Sequence, residues 1–192
     1  MQEQLGVDSP DFGFLTEDMM HYGDSTVLAE NFISPKVEPE FAFKLNKRLA
    51  GPGVTREDAV AAIESVHPAI EIIDSRVRDW NIRLVDTVSD NASCGAVVIG
   101  SEPLDVDPNN LMPVACSIVI DGKQIASGTG ADVLDDPIAP MVWLANILGE
   151  RGVAMNAGDI VIPGSFTAAQ VVESGSTATA DFGELGSISV TF

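Results

Sequence analysis

The clearest alternation of apolar and polar positions runs from Lys36 to Leu45, K-V-E-P-E-F-A-F-K-L. It puts Val37, Phe41, Phe43 and Leu45 on one face of a predicted strand and Glu38, Glu40, Ala42 and Lys44 on the other. Pro39 is expected at an edge or a bulge, because it has no N–H for a sheet ladder. Thr55-Arg56-Glu57-Asp58 resembles a capping box with Asp in place of Glu. Ala59, Ala62, Ile63 and Val66 follow at helical spacing, which predicts an amphipathic helix over 56–66. Ala69–Ile73 reads as a short strand interrupted by Glu71, and 83–89 is ambiguous, read as a short helix. Residues 96–100 and 114–120 are strand-like, and Asp121-Gly122 before 124–127 is a strong hairpin signal. Asp136 as N-cap and Pro137 at the first helical position open a second helix. Its stripe is Ile138, Met141, Val142, Ala145 and Leu148, and it ends at Gly149 or Gly152. Strands are expected near 159–162, 169–173, 177–182 and 187–192, whereas 1–35, broken by glycines and prolines, reads as irregular. With no repeat and no linker-like stretch, residues 1–192 are expected to form one α+β domain, mostly antiparallel β with two main helices.

Charge narrows the functions open to such a domain. The chain carries 10 Lys+Arg against 29 Asp+Glu, a formal net charge of −19. Nucleic-acid binding and a polybasic grip on anionic lipid both need a basic footprint that is missing. No apolar run approaches the ~20 residues of a bilayer span, and the start does not read as a signal peptide. Cys94 and Cys116 lie in separate apolar stretches, outside any C-x-x-C pair. They are expected as buried free thiols in a reducing cytoplasm. The two histidines, His21 and His67, stand near no nucleophile-elbow sequence, and His67 before Pro68 reads as structural. Acid–base chemistry therefore falls to carboxylates, water or a lysine.

Three of the acids stand out by position. Glu38 and Glu40 leave the same face of one predicted strand, and Phe41 and Phe43 beside them give it core-like bulk. Glu71 interrupts A-I-E-I-I, where a buried charge needs a partner. A solvated face of an acidic protein accounts for such a pattern. So does a hard oxygen site for Mg²⁺ or Mn²⁺, with coordination positions left for water and substrate. The residues alone weigh the two about equally.

Longer motifs add a resemblance. Q-L-G-V-D-S-P-D-F-G (Gln4–Gly13), S-P-K-V-E-P-E-F-A-F (Ser34–Phe43), H-P-A-I-E-I-I-D-S-R (His67–Arg76) and V-S-D-N-A-S-C-G (Val88–Gly95) occur in that order. With D-I-V-I-P-G-S-F-T (Asp159–Thr167) and the closing A-D-F-G-E-L-G-S-I-S-V-T-F (Ala180–Phe192), they resemble the 2-keto-4-pentenoate hydratase family over essentially the whole chain. The resemblance implies a fumarylacetoacetate hydrolase-like mixed β-sandwich roll, a homo-oligomer, and metal ligands at Glu38, Glu40 and Glu71. It implies active-site roles for Asp11 and Ser93, and places Ser165 and Thr167 along the same cavity. Glu at the third ligand position, with no histidine placed for catalysis, favours the hydratase branch over the hydrolases. The implied reaction adds water to 2-hydroxypenta-2,4-dienoate to give 4-hydroxy-2-oxopentanoate. The rivals are a 4-oxalocrotonate-type 2-oxo acid decarboxylase and a non-catalytic folded fragment. The fragment reading arises because the family carries a catalytic lysine shortly before the Q-L-G-V-D motif. This chain begins almost on that motif, so it is expected to be N-terminally truncated relative to the family, with Lys44 as a weak substitute.

Overall fold

The computed structural model describes residues 10–192. Chain order gives β1 (Met20–Tyr22), β2 (Ser25–Thr26), β3 (Lys36–Leu45), α1 (Arg56–Val60), β4 (Ile63–Ile73), α2 (Leu84–Ser89) and β5 (Cys94–Ile99). Then come β6 (Ala115–Ile120), β7 (Lys123–Thr129), α3 (Ile138–Gly149), β8 (Ile160–Val161), β9 (Gln170–Val171), β10 (Thr177–Asp181) and β11 (Ser187–Thr191). One sheet has the order β1-β5-β4-β3-β8, with β9 also on β3, and the other has the order β2-β11-β10-β6-β7. Among the described residues only β1/β5 and β2/β11 pair in parallel. The expected α+β, mostly antiparallel architecture is what these residues form.

The alternation of β3 decides which side is core. Val37, Phe41, Phe43 and Leu45 point between the sheets, where they join Ile70 and Ile72 of β4 and Ile118, Ala180, Ile188 and Val190 of the second sheet. Phe41 meets Phe166 edge-on at 4.8 Å and stacks on Phe182 at 5.7 Å. The opposite face of the first sheet carries a smaller apolar cluster, Ala42, Ala69, Cys94, Val97 and Ile99. Leu15, Met19 and Met20 from the N-terminal segment cover it, with Ile160 and Ile162. This second face also carries the glutamates.

Several expectations need correction. The helix predicted over 56–66 stops at Val60, and Ile63 and Val66 belong to β4. The capping box forms, but Pro68 pushes His67 toward extended backbone, and pairing with β3 from Lys36↔Ile73 to Leu45↔Ile63 outweighs a short helical pattern. Pro39 is not at an edge, since β3 is interior; it sits where neither β8 nor β9 pairs with β3. Its carbonyl points into that gap and accepts from Phe166 N–H at 3.0 Å, so its missing N–H faces no ladder. The stretch read as irregular holds β1 and β2. Both are short parallel partners of distant strands and leave no local pattern.

Other expectations hold. Asp121 and Gly122 take φ of 51° and 77° between β6 and β7, a type I′ hairpin turn. Asp136 Oδ1 accepts from Ile138 N–H at 3.0 Å at the start of α3. The 83–89 stretch forms α2, a third helix beside the two expected. No helix among the described residues is long and apolar enough to cross a membrane.

Candidate metal centre

Strand register builds the cluster. Glu38 on β3 lies directly opposite Glu71 on β4, and Glu40 follows two residues along the same face. One carboxylate oxygen from each lies within 4.8 Å of the other two. Glu38 and Glu40 are 1% exposed and Glu71 is 8% exposed. Glu40 Oε2 accepts the Gly164 N–H at 2.8 Å, whereas Glu38 Oε2 is buried with no hydrogen-bond partner.

These contacts make the cluster costly when it holds no cation. Burial, and then the negative charge of Glu71, push Glu38 well above the ordinary carboxylate range. Burial, with Glu71 and then Glu38, does the same to Glu40 against the opposing Gly164 hydrogen bond. Burial lifts Glu71 to about 7, opposed by hydrogen bonds from Cys94 and Glu40. Cys94 reaches that face because a register shift between Ile72 and Ile73 re-aims the start of β5. Its thiol is pushed far up by burial and by Glu71. Three crowded carboxylates, one with an orphaned oxygen, can be satisfied by protons or by a hard dication. An all-oxygen donor set of this kind fits Mg²⁺.

The remaining predicted site residues divide. Asp11 is half-buried and takes a 3.0 Å hydrogen bond from Thr87 Oγ1, which lies 3.4 Å from Ser93 Oγ. Thr87 therefore joins Asp11 and Ser93, and the charge of Asp11 is close enough to Glu71 to raise it further after burial has acted. Ser165 lies opposite Glu40 in an isolated bridge, with its hydroxyl 3.4 Å from the Pro39 carbonyl. Thr167 gives its N–H to Ser165 Oγ and its hydroxyl to Ala168 O, so these bonds tie it to its own loop rather than to the glutamates. Lys44 is half-exposed and pairs with Glu64 at 3.2 Å. His67 is held between Ser65 Oγ at 2.9 Å and Gly100 O at 2.8 Å, the structural role expected of it. Of the opening motif, residues 4–9 lie outside the described residues.

Sequence reasoning missed Thr87, Cys94 and Gly164. Cys94 and Gly164 lie inside motifs already singled out, but nothing in L-V-D-T-V-S marks Thr87 as 2% exposed.

The two-sheet fold is the fumarylacetoacetate hydrolase-like fold. Distant solved structures, 13–16% identical with TM-scores of 0.63–0.70, share this fold alone. The 4-oxalocrotonate decarboxylase from Pseudomonas putida G7, complexed with magnesium and adipate, superposes with a TM-score of 0.93 at 33% identity. It covers 100% of this chain and 73% of its own. The 2-hydroxyhexa-2,4-dienoate hydratase of Comamonas testosteroni is 46% identical over 168 residues, 86% of this chain and 63% of that protein. This chain thus spans less than two thirds of that relative. The 2-keto-4-pentenoate hydratase of Burkholderia vietnamiensis is 39% identical over 193 residues, 100% of this chain and 73% of that protein. No protein-family profile matches. The chain belongs to the 2-keto-4-pentenoate hydratase family.

Proposed function

We propose that the protein is a divalent-metal-dependent hydro-lyase that adds water to 2-hydroxypenta-2,4-dienoate, giving 4-hydroxy-2-oxopentanoate, in meta-cleavage degradation of aromatic compounds. The observation that carries this reading is the buried trio Glu38, Glu40 and Glu71 with the orphaned Glu38 Oε2. These residues would hold Mg²⁺ or Mn²⁺. When bound, the ion supplies Lewis-acid stabilisation of the charge that develops on the substrate's 2-oxygen. The Gly164 N–H fixes one Glu40 oxygen, so that ligand is already oriented. Asp11 and Ser93, joined through Thr87, orient the water and take up or return its proton. Ser165, opposite Glu40, would face the substrate, with Thr167 acting only by holding the Ser165 hydroxyl through its N–H. The substrate is a small 2-oxo or 2-hydroxy dienoic acid, and the protein acts as a cytoplasmic homo-oligomer.

The test is Glu40→Gln, with metal content measured by elemental analysis and hydration followed by loss of dienol absorbance. The variant should lose bound metal and at least about a hundredfold in rate. Full metal content and full rate in Glu40→Gln would sink the assignment. A second reading, 2-oxo acid decarboxylation, is favoured by the TM-score of 0.93 to the decarboxylase. CO₂ release from a 2-oxo-3-enedioate by the same preparation separates the two.

A further inference from the structure

Resting on the site reading above, we propose that Thr87 is the middle member of a one-way hydroxyl relay that carries a proton from Ser93 to Asp11. Thr87 lies on α2, is 2% exposed, and makes no contribution through charge. Its hydroxyl has one hydrogen and two lone pairs. An ionised Asp11 can only accept, so the 3.0 Å contact uses that hydrogen. The 3.4 Å contact can then run only from Ser93 Oγ to Thr87 Oγ1. With its hydrogen committed to Thr87, the Ser93 hydroxyl keeps both lone pairs to accept from water or substrate. At 3.4 Å the Ser93 contact is long for O–H···O, and such bonds in ligand-free sites tighten when substrate binds.

The backbone around Ser93 is held in place for this geometry. Asn91, Ala92 and Ser93 have φ of 56°, 56° and 59°, three successive non-glycine residues in the left-handed region. Such residues are costly and persist only where surrounding contacts fix them. Those contacts are present: the Asp74 N–H binds Ser93 O at 2.8 Å, the Ser93 N–H binds Asp90 O at 2.9 Å, and the Asn91 side chain takes the Phe14 N–H at 2.7 Å. The last of these clasps the segment that carries Asp11 to the turn that carries Ser93. Proton transfer through the relay balances simply. As the oxygen of water bonds to the substrate carbon, one water O–H breaks and its proton goes to Ser93 Oγ, Ser93 gives its own to Thr87 and Thr87 gives its own to Asp11 Oδ2. Both hydroxyls are restored, the electron pair of the attacked double bond passes to the substrate's 2-oxygen, and the half-buried Asp11 carboxyl gives its proton to solvent before the next turnover.

The test uses the full chain with saturating Mg²⁺ and 2-hydroxypenta-2,4-dienoate. Thr87→Val keeps the shape and removes the hydroxyl, while Thr87→Ser keeps the hydroxyl. Thr87→Val should lower kcat by at least about thirtyfold with KM within about twofold, and Thr87→Ser should recover to within about threefold of the parent. In an Asp11→Asn background, Thr87→Val should cost less than about twofold more, because the relay has already lost its terminus. Rates for the parent in H₂O/D₂O mixtures should bow, as expected when more than one proton is in flight, and this measurement does not depend on any variant folding. A linear mixture plot overturns the relay. So does a Thr87→Val rate near the parent's while Asp11→Asn and Ser93→Ala are impaired, an outcome that leaves the site reading standing. If Asp11→Asn and Ser93→Ala both keep the parent rate, the site reading fails with it.

Discussion

Each glutamate of the trio is built so that its charge needs a counter-charge, and this fixes the sign of a pH dependence. Burial raises Glu71 to about 7 and holds Glu38 and Glu40 well above the ordinary carboxylate range. A carboxyl raised in the folded state contributes stability in full below its unfolded value near 4.5. That contribution is lost as pH rises through the folded value. The chelated, metal-free protein should therefore lose several degrees of melting temperature between about pH 5 and 8. Excess Mg²⁺ should flatten the curve by replacing protons as the counter-charge. Calorimetry with chelator and with Mg²⁺ checks this, and a chelated protein that gains stability with rising pH would contradict it. The thiols behave differently. Burial pushes Cys116 up to about 12, and Cys94 higher still, so neither should react with a disulfide reagent until the protein is unfolded. At this scale the sequence was informative where charge broke an apolar pattern. E-P-E between core-like positions and I-E-I-I singled out the three glutamates, because buried charge is rare, but the pattern alone fitted a solvated face equally well and only the family resemblance joined them as one ligand set. Thr87 was illegible, because a threonine in a short helix looks the same whether its hydroxyl meets water or a carboxylate.

Elements bring these residues together, and the most exacting contact is between the 10–14 segment and the turn before β5. A Cβ on Gly13 would meet the Asn91 carbonyl oxygen at 2.5 Å and Asn91 Oδ1 at 2.8 Å. Gly13→Ala must therefore push the Asp11 segment off Asn91 and stretch the Thr87–Asp11 contact. The expected outcome is a loss of at least about tenfold in kcat, since small misplacements of catalytic groups are expensive. The melting temperature should drop by only a few degrees, since the clasp lies outside the core between the sheets. Steady-state rates and a thermal scan on the same preparation give both numbers. Legibility at this scale followed contact range. The Asp121-Gly122 hairpin and the cap of α3 are local, and both were readable. The boundary near Val60 was not, because Ala59, Ala62, Ile63 and Val66 satisfy a helical period while 63–73 is committed to β3 by ten cross-strand pairs. β1 and β2 were invisible because their parallel partners, β5 and β11, lie far along the chain.

For the whole molecule, the net charge of −19 acts in two separable ways. Most acids sit on the surface, where their mutual repulsion weakens the compact state and is screened by any salt. Only four ion pairs are present among the described residues, so this surface repulsion is largely uncompensated. The buried trio is screened far less, because its carboxylates lie almost wholly out of bulk solvent. The two contributions should separate in a titration of melting temperature at pH 8. NaCl should stabilise the chelated protein gradually, without saturation, as the Debye length shrinks below about 10 Å beyond 0.1 M. Mg²⁺ should add a saturable step on top, because a ligand bound only by the folded state stabilises by about 2.7 kcal/mol at a hundred times its Kd. Glu40→Gln should keep the NaCl slope, since one charge in a large surplus hardly changes it, and should lose the Mg²⁺ step. Without metal it should melt above the parent at pH 8, because the amide replaces a carboxyl whose ionised form burial and its neighbours disfavour in the folded state. Equal stabilisation by MgCl₂ and NaCl at matched ionic strength would mean that the acidity acts only as a surface field and that the trio holds no ion.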